Sequence, residues 1–167
     1  MEANLELTDN IPSFNLFSNT EKVYTNARIL PPNKLRKSTI DRVILASGCI
    51  IHNASIERSV IGIRSRIEDK TIVKDSIVMG LDYYESLEEI AANKVRAKKP
   101  HLGIGKNCHI ENTIIDKNCA IGDNATIIGD PSLSDIETDT YCIRDGIIII
   151  KKGAIILDNT VIGTTIS

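Results

Sequence analysis

The chain has 167 residues, 42% of them hydrophobic and 25% charged, with 20 basic side chains against 22 acidic and a net charge of −2. This mix excludes a disordered chain, which combines low hydrophobicity with high net charge, and it supplies no broad basic surface for general nucleic-acid binding. Thirty residues are Ile, whereas Phe, Tyr and Trp together number six. That bias points to flat, stacked β-surfaces, on which β-branched side chains pack well.

Met1 opens onto EANLELTDN, which is acidic and unlike a signal peptide, and no apolar run approaches the ~20 residues of a membrane span. Residues 1–38 carry no repeat and contain Pro12, Pro31 and Pro32. They read as a linker arm that packs along the domain that follows.

From residue 39 a six-residue beat takes over. Ile44, Ile50 and Ile56 begin it, then Ile61, Ile67, Val73 and Val78. A second run is Ile104, Ile110, Ile115, Ile121 and Ile127, and a third is Ile150, Ile156 and Ile162. Two places before nearly every anchor stands a small residue, such as Gly48, Ala54, Ser59, Ser65, Thr71, Cys119 or Ala154; Leu102 and Ile148 depart from the pattern. Residues two apart in a strand face the same way, so both members of each pair point inward and three hexads close a triangular coil. The expected fold is all-β, a left-handed parallel β-helix of hexapeptide repeats over 39–167, with about five coils. Gly122-Asp123-Asn124 and Asp158-Asn159 suit the left-handed backbone of tight corners.

Two segments break the beat. Residues 81–100 carry helix formers from Glu85 to Lys98, with Leu87, Ile90 and Ala91 on one stripe and Pro100 as a stop. Residues 129–146 read as a surface loop. The four cysteines, at 49, 108, 119 and 142, lack metal-pair or disulfide-framework spacing and read as reduced, buried thiols. His52, His101 and His109 bear on a rival function. Hexapeptide-repeat acyltransferases share this scaffold and use a His as general base with acyl-CoA, but each His here stands apart from other titratable groups save Glu111 near His109.

Several stretches carry a resemblance: MGLDYYE (79–85), SVIGIRSRI (59–67), GIGKNCHI (103–110) and IIDKN (114–118), with EANLEL (2–7), YTNARILPPNK (24–34) and DGIIIIKKGAIILDNTVI (145–162) around them. In this order they resemble the carboxyl half of ADP-glucose pyrophosphorylase (glucose-1-phosphate adenylyltransferase), over essentially the whole chain. The resemblance implies a regulatory and oligomerisation region of an enzyme that joins ATP and glucose 1-phosphate into ADP-glucose and pyrophosphate for glycogen or starch synthesis. The family's nucleotidyltransferase domain, with its Gly-rich loop and metal-binding carboxylates, is not matched, so this chain alone is expected to be inactive. No cofactor is expected here, Mg2+ belonging to the unmatched catalytic domain.

By the same resemblance Lys117, in IIDKN, and Lys152, in IIIIKKGA, match two lysines that bind anionic effectors such as 3-phosphoglycerate and phosphate. An ammonium is a mobile point charge suited to such groups. Lys151 shares the candidacy of its neighbour, and Arg144, in YCIRDG, is a further candidate for the same pocket; a solvated corner lysine is the plain alternative. Asp82, Tyr83 and Tyr84 read chiefly as packing at the junction with the inserted helix, and Arg64 and Arg66 as outward-facing. The expected partners are a second copy of the chain or a catalytic subunit, because a β-helix ends in open strand edges, and the expected compartment is the bacterial cytoplasm or plastid stroma.

Overall fold

A hexad that alternates inward and outward side chains cannot bury its apolar face alone, so each coil is stable only when stacked on another. The computed structural model describes residues 1–17, 28–92 and 99–164, and there the chain winds as a left-handed parallel β-helix. The first coil holds β1 (Lys34–Arg36) and β2 (Thr39–Leu45), and the second β3 (Ile50–His52) and β4 (Ser55–Ile61). The third holds β5 (Arg66–Ile67), β6 (Ile72–Lys74) and β7 (Ile77–Val78). The fourth holds β8 (Gly103–Ile104), β9 (His109–Glu111) and β10 (Thr113–Ile115), and β11 (Ala120–Ile121) and β12 (Thr126–Ile128) open the fifth. An antiparallel hairpin, β13 (Ile136–Glu137) and β14 (Tyr141–Arg144), then precedes β15 (Ile147–Ile150), which completes that coil. A last partial coil holds β16 (Ile155–Ile156) and β17 (Val161–Gly163). β1 falls inside the stretch read as an arm, so the helical winding is already present at Lys34.

Parallel pairing aligns the interior into three columns. One runs Leu35, Ile51, Ile67, Ile104, Ile121, Ile156, and the second Ile40, Ile56, Val73, Ile110, Ile127, Ile162. The third is Leu45, Ile61, Val78, Ile115, Ile150. Thirteen of the fifteen anchors are buried. The exceptions, Ile44 and Ile50, are out of phase by one: the register puts Leu45 and Ile51 inward instead. Ile44-Leu45 and Ile50-Ile51 are apolar doublets, and apolarity alone cannot choose between neighbours that face opposite ways.

The small inward residues serve more than volume. Ser65 Oγ donates to Gly62 O (2.8 Å), Thr71 Oγ1 to Gly105 O (2.6 Å) and Thr113 Oγ1 to Glu111 O (2.8 Å). Hydroxyls at the corners thus bond backbone carbonyls of the coils and are themselves satisfied, and no buried side-chain polar atom lacks a partner among the described residues. Cys49, Cys108 and Cys119 are buried free thiols and Cys142 is partly buried; burial pushes Cys108 and Cys119 up to about 11.

Corners take left-handed backbone at Asn53, Asn107, Asn112, Asn118, Asn124 and Asn159, all with φ between 47° and 61°. Asn107 and Asn124 each donate an amide to the next Asn oxygen, at 3.2 and 3.1 Å. Gly122 serves differently: its φ is not positive, and a Cβ there would collide with Asp158 Oδ1 and the Asp158 backbone of the next coil. Five cations, Lys37, Arg42, Arg58, Arg64 and Lys70, also adopt positive φ, a use that composition rules for turns do not anticipate.

Within 129–146 the structure differs from a plain loop. β14 pairs antiparallel with β15 from Tyr141↔Ile150 to Arg144↔Ile147 and covers its free edge, Ile143 is buried, and Thr138 Oγ1 and Tyr141 bond each other across the turn. In the other insertion, helix α1 of the amino-terminal segment (Glu2–Leu5) has a successor, α2 (Leu87–Ala92). A capping box starts α2, with Glu89 N donating to Ser86 Oγ and Ser86 N to Glu89 Oε2. The Leu87-Ile90-Ala91 stripe is not buried, Leu87 being 81% exposed, and residues 93–98 of the expected helix lie outside the described residues. α1 buries Leu5 against β4, held by a Glu2–Arg58 ion pair.

Candidate functional site

The candidate lysines sit where the third column turns back to the first. β10 ends at Ile115 and turns through Asp116-Lys117-Asn118 into β11; one coil above, β15 ends at Ile150 and turns through Lys151-Lys152-Gly153 into β16. Asp116 N donates to Ile150 O (3.0 Å) and Gly153 N to Lys117 O (2.9 Å), so Lys152 stacks on Lys117. Adjacent strands lie about 4.8 Å apart, which brings two ammonium-bearing side chains to one corner although an inserted hairpin separates them in sequence.

The third party is Asp82, where the chain leaves the coil below. Lys117 Nζ pairs with Asp82 Oδ1 at 2.9 Å, Asn118 Nδ2 donates to Asp82 Oδ2 at 3.0 Å, and Asp82 N donates to Asn118 Oδ1 at 2.8 Å. The Lys117 hydrogen bond, then that of Asn118, holds the Asp82 carboxyl below its ordinary range, and the charge of Lys152 adds to this. Lys117 is 31% exposed in this pair, and Lys152 is exposed with no ion pair among the described residues.

Lys151 and Arg144 converge elsewhere. Both pair with Glu137 of the hairpin, Arg144 Nη2 at 2.6 Å from Glu137 Oε2, and Lys151 also donates to Thr138 O. The Lys151 hydrogen bond, assisted by the charges of Lys151 and Arg144, lowers the Glu137 pKa. Lys117 and Lys152 therefore share one corner, while Lys151 and Arg144 clamp the hairpin. The Asp82 contact was obscured in sequence by its place beside Tyr83-Tyr84, and Glu137 lay in a segment read as loop.

Below the lysines, Arg64 lies over the Tyr84 ring (5.7 Å to its centroid) and Tyr84 OH donates to Gly48 O at 2.8 Å; burial raises the Tyr84 pKa. Arg66 pairs with Glu68 at 3.3 Å. Two histidines are less isolated than their spacing suggests. His109 Nε2 meets Glu111 Oε2 at 3.1 Å, with Lys74 on the other oxygen at 3.5 Å, and His52 lies 3.6 Å from Glu68 on the adjacent coil. Among the described residues no cluster of three or more His, Cys, Asp or Glu is arranged to hold a metal, and no helix is long and apolar enough to cross a membrane.

Stacked hexads and corner Asn residues define a left-handed parallel β-helix domain of the hexapeptide-repeat class, and a family model described as the GLGC left-handed parallel β-helix domain matches residues 28–161. The chain belongs to the ADP-glucose pyrophosphorylase (glucose-1-phosphate adenylyltransferase) family, as its carboxyl-terminal β-helix region. It is 41% identical over 165 residues to the glucose-1-phosphate adenylyltransferase small subunit, chloroplastic/amyloplastic, of Triticum aestivum. That alignment covers 96% of this chain and 34% of the relative, so the chain spans about a third of the length of the curated relative it matches.

Proposed function

We propose that this chain is the regulatory and assembly domain of a glucose-1-phosphate adenylyltransferase, binding small phosphorylated or phosphate effectors at the Lys117–Lys152 corner. The observation that carries this reading is the stacking of the two lysines on adjacent coils, fixed by the Gly153 N to Lys117 O bond. Two like charges at this spacing repel each other, and a multiply charged anion relieves that repulsion. Catalysis, with its Mg2+, belongs in this reading to a nucleotidyltransferase part joined to the domain or assembled with it. Assembly has support from the first coil, where Leu35 and Ile40 of the interior columns are 48% and 37% exposed, an open cross-section suited to a second copy or a catalytic subunit. The plastid location in the relative's name favours a plastid stroma over the alternative of a bacterial cytoplasm.

Isothermal titration with 3-phosphoglycerate tests the site. Binding by the wild-type chain, lost in both Lys117→Ala and Lys152→Ala, is the expected result. Equal binding by wild type and both variants would overturn the assignment.

A further inference from the structure

The carboxylate that faces Lys117 comes from the segment leading into the 81–100 insertion, not from the corner's own turn. Asp82 makes three bonds to that turn: Oδ1 to Lys117 Nζ (2.9 Å), Oδ2 from Asn118 Nδ2 (3.0 Å) and its own N–H to Asn118 Oδ1 (2.8 Å). Lys152 stands one coil further along the same corner, with no ion pair among the described residues. A carboxylate with one oxygen on an ammonium and the other on an amide is placed as a phosphate or carboxylate ligand would be. The neighbouring Leu81 is buried and its N–H donates to Ile63 O at 2.9 Å, so the main chain that carries Asp82 is anchored while its side chain stays 40% exposed.

We propose that Asp82 is a built-in competitor for the anion at the Lys117–Lys152 corner. The inference rests on the effector reading above and specifies its regulation: an incoming anion takes Lys117 from Asp82. The displaced carboxylate cannot remain beside a phosphate of like charge, so it leaves the corner and loosens its bonds to Asn118. Occupancy of the site is thereby reported to the start of the insertion. An aspartate carboxyl is ionised at neutral pH, and Lys117 and then Asn118 favour its charged form further, so the competition operates under ordinary conditions.

The opposite role for Asp82, holding Lys117 in place for the effector, gives the opposite sign. Equilibrium titration with inorganic phosphate separates the two across wild type, Asp82→Asn, Lys117→Ala and the double variant. Asn is nearly isosteric, retains the main-chain bond to Asn118 and removes the charge. Competition predicts that Asp82→Asn binds phosphate at least about fivefold more tightly than wild type, the low end of ordinary coupling between sites, and that Lys117→Ala abolishes the gain. Amide exchange at Asp82 in the wild-type chain should also speed up on adding phosphate. Unchanged or weaker binding by Asp82→Asn, with binding still dependent on Lys117, overturns the competition and leaves the effector site standing. No binding by wild type or Asp82→Asn overturns both.

Discussion

The two apolar doublets in the first coils offer a sharp test of the register. Ile51 is fully buried in the first column, between Leu35 and Ile67, whereas Ile50 faces out opposite Arg66. Truncating Ile51 to Ala removes three carbons from a dry interior, a transfer loss of roughly 2.5 kcal/mol, and the neighbouring coils are too rigidly paired to close the cavity. The total cost is expected at about 3–4 kcal/mol, or about 6–16 °C in Tm for a chain of this size. Ile50→Ala removes the same atoms from a half-exposed position and should cost less than about 1 kcal/mol. Thermal unfolding followed by far-ultraviolet circular dichroism distinguishes them. Equal losses, or a larger loss at Ile50, would refute the register and with it the alignment of all three columns.

Substituting Gly122 by Ala drives a Cβ into Asp158 of the next coil and should cost about 1–3 kcal/mol. Gly153→Ala meets nothing within 4 Å and carries only the strain of φ +72°, about 1–2 kcal/mol; urea melts of both variants check the order. Thiol labelling with mass-spectrometric readout at pH 8 should modify Cys142 first. Cys108 and Cys119, raised by burial to about 11, should react only on unfolding. Glu137 has a folded pKa below its ordinary 4.5, so it binds protons less readily when folded. Its contribution is present above the unfolded pKa and is lost as pH falls through the folded value. Hairpin resonances in an NMR pH series should therefore loosen below about pH 4.5, and Glu137→Gln should show that loosening already at pH 7.

Most of the scaffold was legible because its determinants are local. A β-branched anchor with a small residue two places before it reports strand direction, burial and corner at once, and parallel stacking then leaves little freedom. The phase failed only at Ile44-Leu45 and Ile50-Ile51, where both neighbours are apolar and cross-strand register decides. The hairpin at 129–146 was hidden because its strands are short and its polar turn resembles any loop. At the corner, the lysines were legible as residues, but their meeting was not. Asp82, Lys117 and Lys152 come from three successive coils separated by two insertions, and only the backbone register shows that they stack. The division of labour between Lys151 and Lys152, adjacent in sequence, likewise depends on the hairpin folding back to present Glu137.

In the proposed function one corner of the β-helix, and not its scattered surface lysines, receives the anion. Nitrogen-15 NMR of the intact wild-type chain titrated with inorganic phosphate locates the site directly. The expected result is saturable shift changes confined to Asp82, Lys117, Asn118, Lys152 and Gly153. Shifts of similar size at Lys37, Lys70 and Lys106, or none at Lys117 and Lys152, would contradict it.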